Sequence, residues 1–192
     1  KTHLIPVKCS KRDLNYLFNC NKFSAEVWNL CVKLDAEYQE KHDKSIDQTN
    51  LQKLTRGCVS LHSKNIQHVV HKYLFARDAM WKSIKAKHEN SHKVKLPYKC
   101  KKYFTSGWDY QAIKIDYDNG IIMLAKPKTK INGKTRVLKP VKCYAKNIPQ
   151  NIVEIELVWR NKLYLVIKYK EIADYKQINS NNSASIDLGE IH

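Results

Sequence analysis

The chain has 192 residues, and its 35 Lys and Arg against 18 Asp and Glu leave a net charge of +17 with histidine neutral. A hydrophobic fraction of 43% beside 28% charged residues is enough to build a core, which excludes wholesale disorder. No apolar run approaches the roughly 20 residues that cross a bilayer, and no secretory leader is visible.

The first ten residues place Leu4, Ile5, Val7 and Cys9 around Pro6. They read as a short strand at a sheet edge, because Pro6 has no N–H to give to a ladder. No partner strand follows, so its partner must be distant. Residues 11–92 read as helical. Val27, Leu30, Cys31, Leu34 and Tyr38 recur on one helix face, with Ser24 as the expected N-cap and Glu26 in the first turn. The polar stretch His42 to Asn50 breaks the pattern. A shorter helix carries Leu51 and Leu54 near Gly57. A third runs from about Ser63 to His88 with Ile66, Val69, Val70, Tyr73, Met80, Trp81 and Ile84 on its stripe. Three such helices make a small bundle.

From Lys93 the period changes to two. Gln111 to Asp116 and Ile121 to Ala125 flank Asp118-Asn119-Gly120, where Asn-Gly predicts a type I′ hairpin, and a second Asn132-Gly133 follows. Ile152 to Trp159 and Leu163 to Lys170 flank Arg160-Asn161, and their alternation predicts an antiparallel sheet with one buried side. Five or six such strands fit a small barrel. The fold class is α+β: a barrel whose first strand is residues 1–10 and whose remainder is 93–178, interrupted by a helical insertion at 11–92 that projects from it. Asn179 to Ser183 reads as a linker, and residues 184–192 as the opening strand of a further domain. A lone strand has no sheet to join, so a continuation after His192, or a partner chain, is expected.

The charge attracts polyanions, nucleic acid first among them, with an acidic protein or an anionic membrane as the remaining alternatives. Between Lys93 and Lys146 there are 14 Lys and Arg against three acids, Asp109, Asp116 and Asp118. Aromatic residues are interleaved there, and Tyr103, Trp108, Tyr110 and Tyr144 are candidates either to stack on bases or to fill the core. The six cysteines form no CxxC pair, so a structural zinc is not expected, and they read as reduced, mostly packed thiols of a cytoplasmic protein.

The order of parts resembles the TnpB (OrfB) proteins, transposon-encoded RNA-guided DNA endonucleases related to the compact type V CRISPR effectors. Three stretches carry the resemblance. Ser185-Ile186-Asp187-Leu188-Gly189-Glu190-Ile191-His192 looks like the first motif of a RuvC-like, RNase H fold nuclease domain. Ser63-Lys64-Asn65-Ile66-Gln67-His68-Val69-Val70 looks like the start of the long recognition helix. Leu96-Pro97-Tyr98-Lys99, followed by Tyr103, Phe104 and the 111–125 hairpin, is similar to the re-entry into the wedge barrel. The resemblance implies that 1–10 and 93–178 form the wedge, 11–92 the recognition domain and 179–192 the linker and first nuclease strand. It implies guide RNA and target double-stranded DNA as partners, with the remaining nuclease domain as a separate or following segment. A nucleoid-associated location in a prokaryotic cytoplasm follows, with no membrane contact.

Asp187 is then expected to be a Mg²⁺ ligand and catalytic acid, though only in a completed nuclease domain. Two-metal hydrolysis needs carboxylates converging on ions about 4 Å apart, so this chain alone is expected not to cut DNA. Ser63, Lys64, Gln67, His68 and His71 are the expected readers of a short duplex motif beside the target, since Gln pairs with adenine and Lys with guanine in the major groove. Lys99, Lys101, Lys102, Lys126, Lys128, Lys130, Lys134, Arg136, Lys139, Lys142 and Lys146 are the expected phosphate contacts to guide RNA. Two rival readings are a nuclease-dead RNA-guided repressor of the same family and an unrelated RNA-binding protein with a basic barrel.

Overall fold

A computed structural model describes residues 1–86, 97, 99–131 and 134–171. The expected linker at 179–183, the strand at 184–192 with Asp187, the end of the third helix at His88, and Asn132-Gly133 all lie outside the described residues. In chain order the elements are β1 (Thr2–Pro6), α1 (Lys11–His42), α2 (Gln48–Thr55), α3 (Ser63–Lys85) and β2 (Ser106–Asp109). After a 3-10 turn at Tyr110–Ala112 come β3 (Ile113–Asp116), β4 (Ile121–Leu124), β5 (Lys128–Ile131), β6 (Lys134–Val137), β7 (Val141–Tyr144), β8 (Ile152–Trp159) and β9 (Leu163–Tyr169). The fold is mixed α+β, with three helices and antiparallel sheets. No described helix is long and apolar enough to cross a membrane.

α1 begins thirteen residues before the expected cap Ser24, and its actual cap is Ser10, whose hydroxyl accepts from the Asp13 amide at 3.1 Å. Leu17, Cys20, Ser24, Val27 and Cys31 continue one buried stripe. Ser24 is therefore mid-helix rather than a cap, and its hydroxyl lies 2.6 Å from that of Ser106 on β2. A small hydroxyl there lets the helix approach the strand while each oxygen finds a partner. α1 ends at Asp43 in the left-handed conformation (φ 52°). On α3 the buried stripe takes in Asn65 and Arg77, whereas Trp81 and Ile84 are exposed at the distal end. Asn65 donates to the Gly107 carbonyl at 2.8 Å, and Arg77 bonds Asp35 and the Ile46 carbonyl. The Tyr73 hydroxyl also donates to Asp35, so a buried carboxylate ties α1 and the loop before α2 to α3.

One sheet has the order β1-β9-β8-β2, a second β3-β4-β7, and β5-β6 forms a separate hairpin. β1 pairs with β9 (Ile5 opposite Leu165), so the N-terminal strand does find a distant partner. Among the described residues the strands do not close into the expected barrel. β1's ladder ends at Pro6, and only a bond from the Tyr144 amide to the Lys8 carbonyl reaches β7. At the other corner the 3-10 turn interrupts the path from β2 to β3, leaving one bond from the Ala125 amide to the Ala112 carbonyl.

The turn between β3 and β4 spans residues 117–120. Only Gly120 has a positive φ (62°), so it is not the type I′ pair expected of Asn119-Gly120. Asp116 accepts from the Asn119 amide instead, which lets Asn119 keep an ordinary φ. A Cβ on Gly120 would stand 2.6 Å from the Ala145 carbonyl oxygen.

One buried cluster joins both parts of the chain: Leu17 and Cys20 of α1, Val69 and Val70 of α3, Trp108 of β2, Ile122, Leu124, Ile155, Leu157, Leu165 and Ile167. Each such large aliphatic contributes about 1.5–3 kcal/mol on burial. α1 and α3 thus share the sheet's core instead of projecting from it. β8 also has no solvent face at its centre. Ile155 and Leu157 point into the core, while Glu154 and Glu156 lie under α3.

Candidate nucleic-acid interface

The five residues expected to read duplex DNA do not share one surface. Ser63 and Gln67 line a cleft of about 400 Å³ between α2 and α3, together with Gln52, Lys53 and Arg56. Lys53 and Arg56 were not among the sequence candidates; their signal was a basic pair beside Gly57 at the end of α2. His71 is exposed, with its Nε2 2.9 Å from the Gln52 amide nitrogen. Lys64 turns the other way and pairs with Asp109 at 3.0 Å.

His68 faces inward. Its Nδ1 donates to Glu154 at 2.6 Å, and its ring lies flat against Gly107, where a Cβ would come within 2.5 Å of it. The two carboxylates are held by ammonium groups as well. Lys168 reaches Glu154 at 2.8 Å and Glu156 at 2.7 Å, and Lys72 reaches Glu156 at 2.7 Å. The His68 hydrogen bond, helped by Lys168, holds the Glu154 carboxyl down to about 2. Burial alone would raise Glu156, but Lys168 and Lys72 outweigh it and hold it below the usual carboxylate range. The ligand atoms of His68, Glu154 and Glu156 all lie within 4.8 Å of one another, a spacing that suits a divalent ion. Both carboxylates are already neutralised by lysines, so a cation would have to displace two ammonium groups. The cluster is a buried ion network and does not fit Mg²⁺.

The eleven cations expected to meet RNA divide in the same way. Lys126 is mostly buried, paired with Asp13 at 2.8 Å and set 4.8 Å from the Tyr16 ring centroid. Lys101 sits over the rings of Trp28 (3.8 Å) and Phe104 (4.2 Å), and burial lowers its pKa. Those two are structural cations. Lys99, Lys102, Lys128, Lys134, Arg136, Lys139, Lys142 and Lys146 are exposed. The side chain of Lys130 lies outside the described residues. Trp108 is fully buried and donates to the Ala125 carbonyl at 3.0 Å, so it belongs to the core, while Tyr103, Tyr110 and Tyr144 are exposed.

Two of these exposed cations, Lys139 and Lys142, meet Arg12 at the start of α1. A cleft of about 630 Å³ is lined by Ser10, Arg12, Asp13 and Lys126 on one wall and by Leu138, Lys139, Pro140, Lys142 and Tyr144 on the other. β7 explains the second wall: Val141 and Cys143 are buried, so Lys142 and Tyr144 must point outward. Asp13 is the acid of this cleft. Burial favours its neutral form, yet Lys126 and Ser10 hold it ionised and below the usual range. With Asp13 matched by Lys126, Arg12, Lys139 and Lys142 have no acidic partner among the described residues. The amino end of α1 adds partial positive charge.

A second cleft of about 460 Å³ shares Tyr144 and carries Lys8 and Lys146 on its far side. Tyr144, 53% exposed, stands between the two. The result is a continuous basic track with a ring at its middle, a geometry that can neutralise successive phosphates and stack one base. Arg12 and Lys8 were missed by the sequence reading because they lie outside the Lys93–Lys146 charge run.

No known family model matches the chain, and none of the curated proteins matches it.

Proposed function

We propose that this chain is an RNA-binding lobe, the N-terminal part of an RNA-guided DNA endonuclease of the TnpB type, which holds a guide RNA scaffold and reads a short duplex motif beside the target. The observation that carries the RNA reading is the track Arg12–Lys139–Lys142–Tyr144–Lys8–Lys146, in which cations without acidic partners among the described residues flank an exposed ring. Three further features support the finer reading. The three helices are inserted between β1 and the strands it joins, the order expected of a recognition domain set into a wedge. Ser63 and Gln67 share a cleft with Gln52, Lys53 and Arg56, a set of amide and cationic groups suited to base edges and phosphates. Sequence reading would then come mostly from guide–target pairing.

Mg²⁺ belongs, on this reading, to a completed nuclease domain, where it would activate and orient the hydrolytic water. Asp187 lies outside the described residues, and Glu154 and Glu156, the acids that come closest together beside a histidine, are held by Lys72 and Lys168, so binding rather than cleavage is assigned to this lobe. The test is to purify the chain and sequence any small RNA that accompanies it. Randomised duplexes are then offered to the RNA-loaded protein. One recurring scaffold RNA and one enriched DNA motif support the reading. Salt-insensitive, weak binding to every polyanion removes it.

A further inference from the structure

One surface carries chemistry that neither cleft uses. Phe18 of α1, Tyr103 in the segment before β2 and Trp159 at the end of β8 form a cluster brought together from three distant parts of the chain. The Phe18 and Tyr103 ring centroids are 5.6 Å apart at 51°, and those of Phe18 and Trp159 5.6 Å apart at 75°. Tilted and edge-on contacts of this kind fix the rings without burying them, and Tyr103 and Trp159 remain 47% and 48% exposed. Rings already locked against one another lose little freedom when a flat partner arrives.

The surroundings select the partner. Lys22, one turn beyond Phe18, sits 5.1 Å from its ring centroid. The three contributing segments, residues 14–22, 99–105 and 157–163, carry the exposed cations Lys22, Lys99, Lys102, Arg160 and Lys162 and no Asp or Glu. A surface for an apolar protein partner has no use for such a cationic border, whereas a phosphate chain carrying exposed bases matches both the rings and the charge.

We propose that Phe18, Tyr103 and Trp159 form a stacking platform for unpaired bases of single-stranded RNA, separate from the basic clefts. This rests on the reading of the chain as an RNA binder. The experiment compares a fluorescein-labelled oligouridine with an RNA duplex of equal length, on the full chain and on Tyr103→Ala, Trp159→Ala and Trp159→Phe, each checked for an unchanged urea midpoint. Each alanine should weaken oligouridine binding about tenfold and leave duplex binding and the salt slope unchanged, because a stack releases no counterions. Trp159→Phe should retain most of the affinity and guards against a loss due to misfolding. Equal losses on both probes, a shallower salt slope, or no loss overturns the platform. Displacement of oligouridine by an acidic peptide that the alanine variants no longer bind also overturns it, in favour of a protein partner. Lys139→Ala separates the two proposals. If it weakens RNA binding while the ring variants do not, the platform falls and the RNA reading stands. If the chain binds neither RNA, both fall.

Discussion

Two regions of this protein hold lysines near carboxylates and put them to opposite use. Along the seam of α3 with β8 and β9, Lys72 and Lys168 are consumed by Glu154 and Glu156. At the start of α1, the acid Asp13 is taken by Lys126, and Arg12, Lys139 and Lys142 are left without acidic partners among the described residues. The difference teaches that a net charge of +17 is a sum, and a polyanion responds to the cations that no nearby carboxylate already holds. The seam charges contribute to folding, and the proposed RNA reading assigns the groove charges to binding.

The widest separation between the two regions should come from Glu156→Ala. It strips an acceptor from both Lys72 and Lys168, whose ammonium ends stay partly exposed, and the cost in urea unfolding should be about 2–3 kcal/mol. RNA affinity of the folded fraction should not change. A loss below about 1 kcal/mol would show the seam to be no more than a surface ion pair.

Acid should dissolve the seam before the core. Glu154 and Glu156 both hold protons more weakly folded than unfolded, so their contribution is complete above the ordinary carboxylate range. It is lost as pH falls from about 5 toward 2, with Glu154's share at most about 3 kcal/mol. Thermal unfolding followed from neutral pH to pH 3 should show a falling midpoint; a flat profile would mean the network is already broken in solution.

The groove answers in the other currency. Lys139→Ala with Lys142→Ala should weaken RNA binding roughly tenfold and flatten the salt slope by about 1.4 to 1.8 for two lost phosphate contacts. The urea midpoint should stay where it was. Lys72→Ala, the seam control, should do the reverse, and a shared response would erase the distinction between the regions.

The smallest contrast lies within one short run. Lys126→Ala removes the partner of Asp13 and should cost about 1–2 kcal/mol of stability. Lys128→Ala, two residues on and exposed, should cost nothing in folding and shift the salt slope by less than about one unit.

Much of the local structure was legible beforehand. The helical face through Val27, Cys31 and onward, the start of α3 at Ser63, the hairpin of β8 and β9 and the distant pairing of β1 all follow from apolar spacing and from Pro6. The errors share a cause. Ser24 reads as an N-cap from its neighbours in sequence, and only its contact with Ser106, 82 residues away, places it mid-helix. The alternating Glu154 and Glu156 looked solvated because nothing nearby in sequence reveals that His68 and Lys72 will cover them. Among the described residues the barrel stays open at Pro6 and at Tyr110–Ala112, where missing or diverted backbone donors interrupt the ladder.

For the candidate site the division is sharper. The sequence by itself determined that the chain is strongly cationic, that its helices precede most of its strands, and which residues alternate along each element, since all of these depend on composition or on neighbours a few positions apart. Only the tertiary structure decided which cations are paired with carboxylates and which line the clefts. Lys126 meets Asp13 across 113 residues and Lys168 meets Glu154 across 14. Charge pairing acts through space over a few ångströms, and the chain's order does not say which groups will come that close.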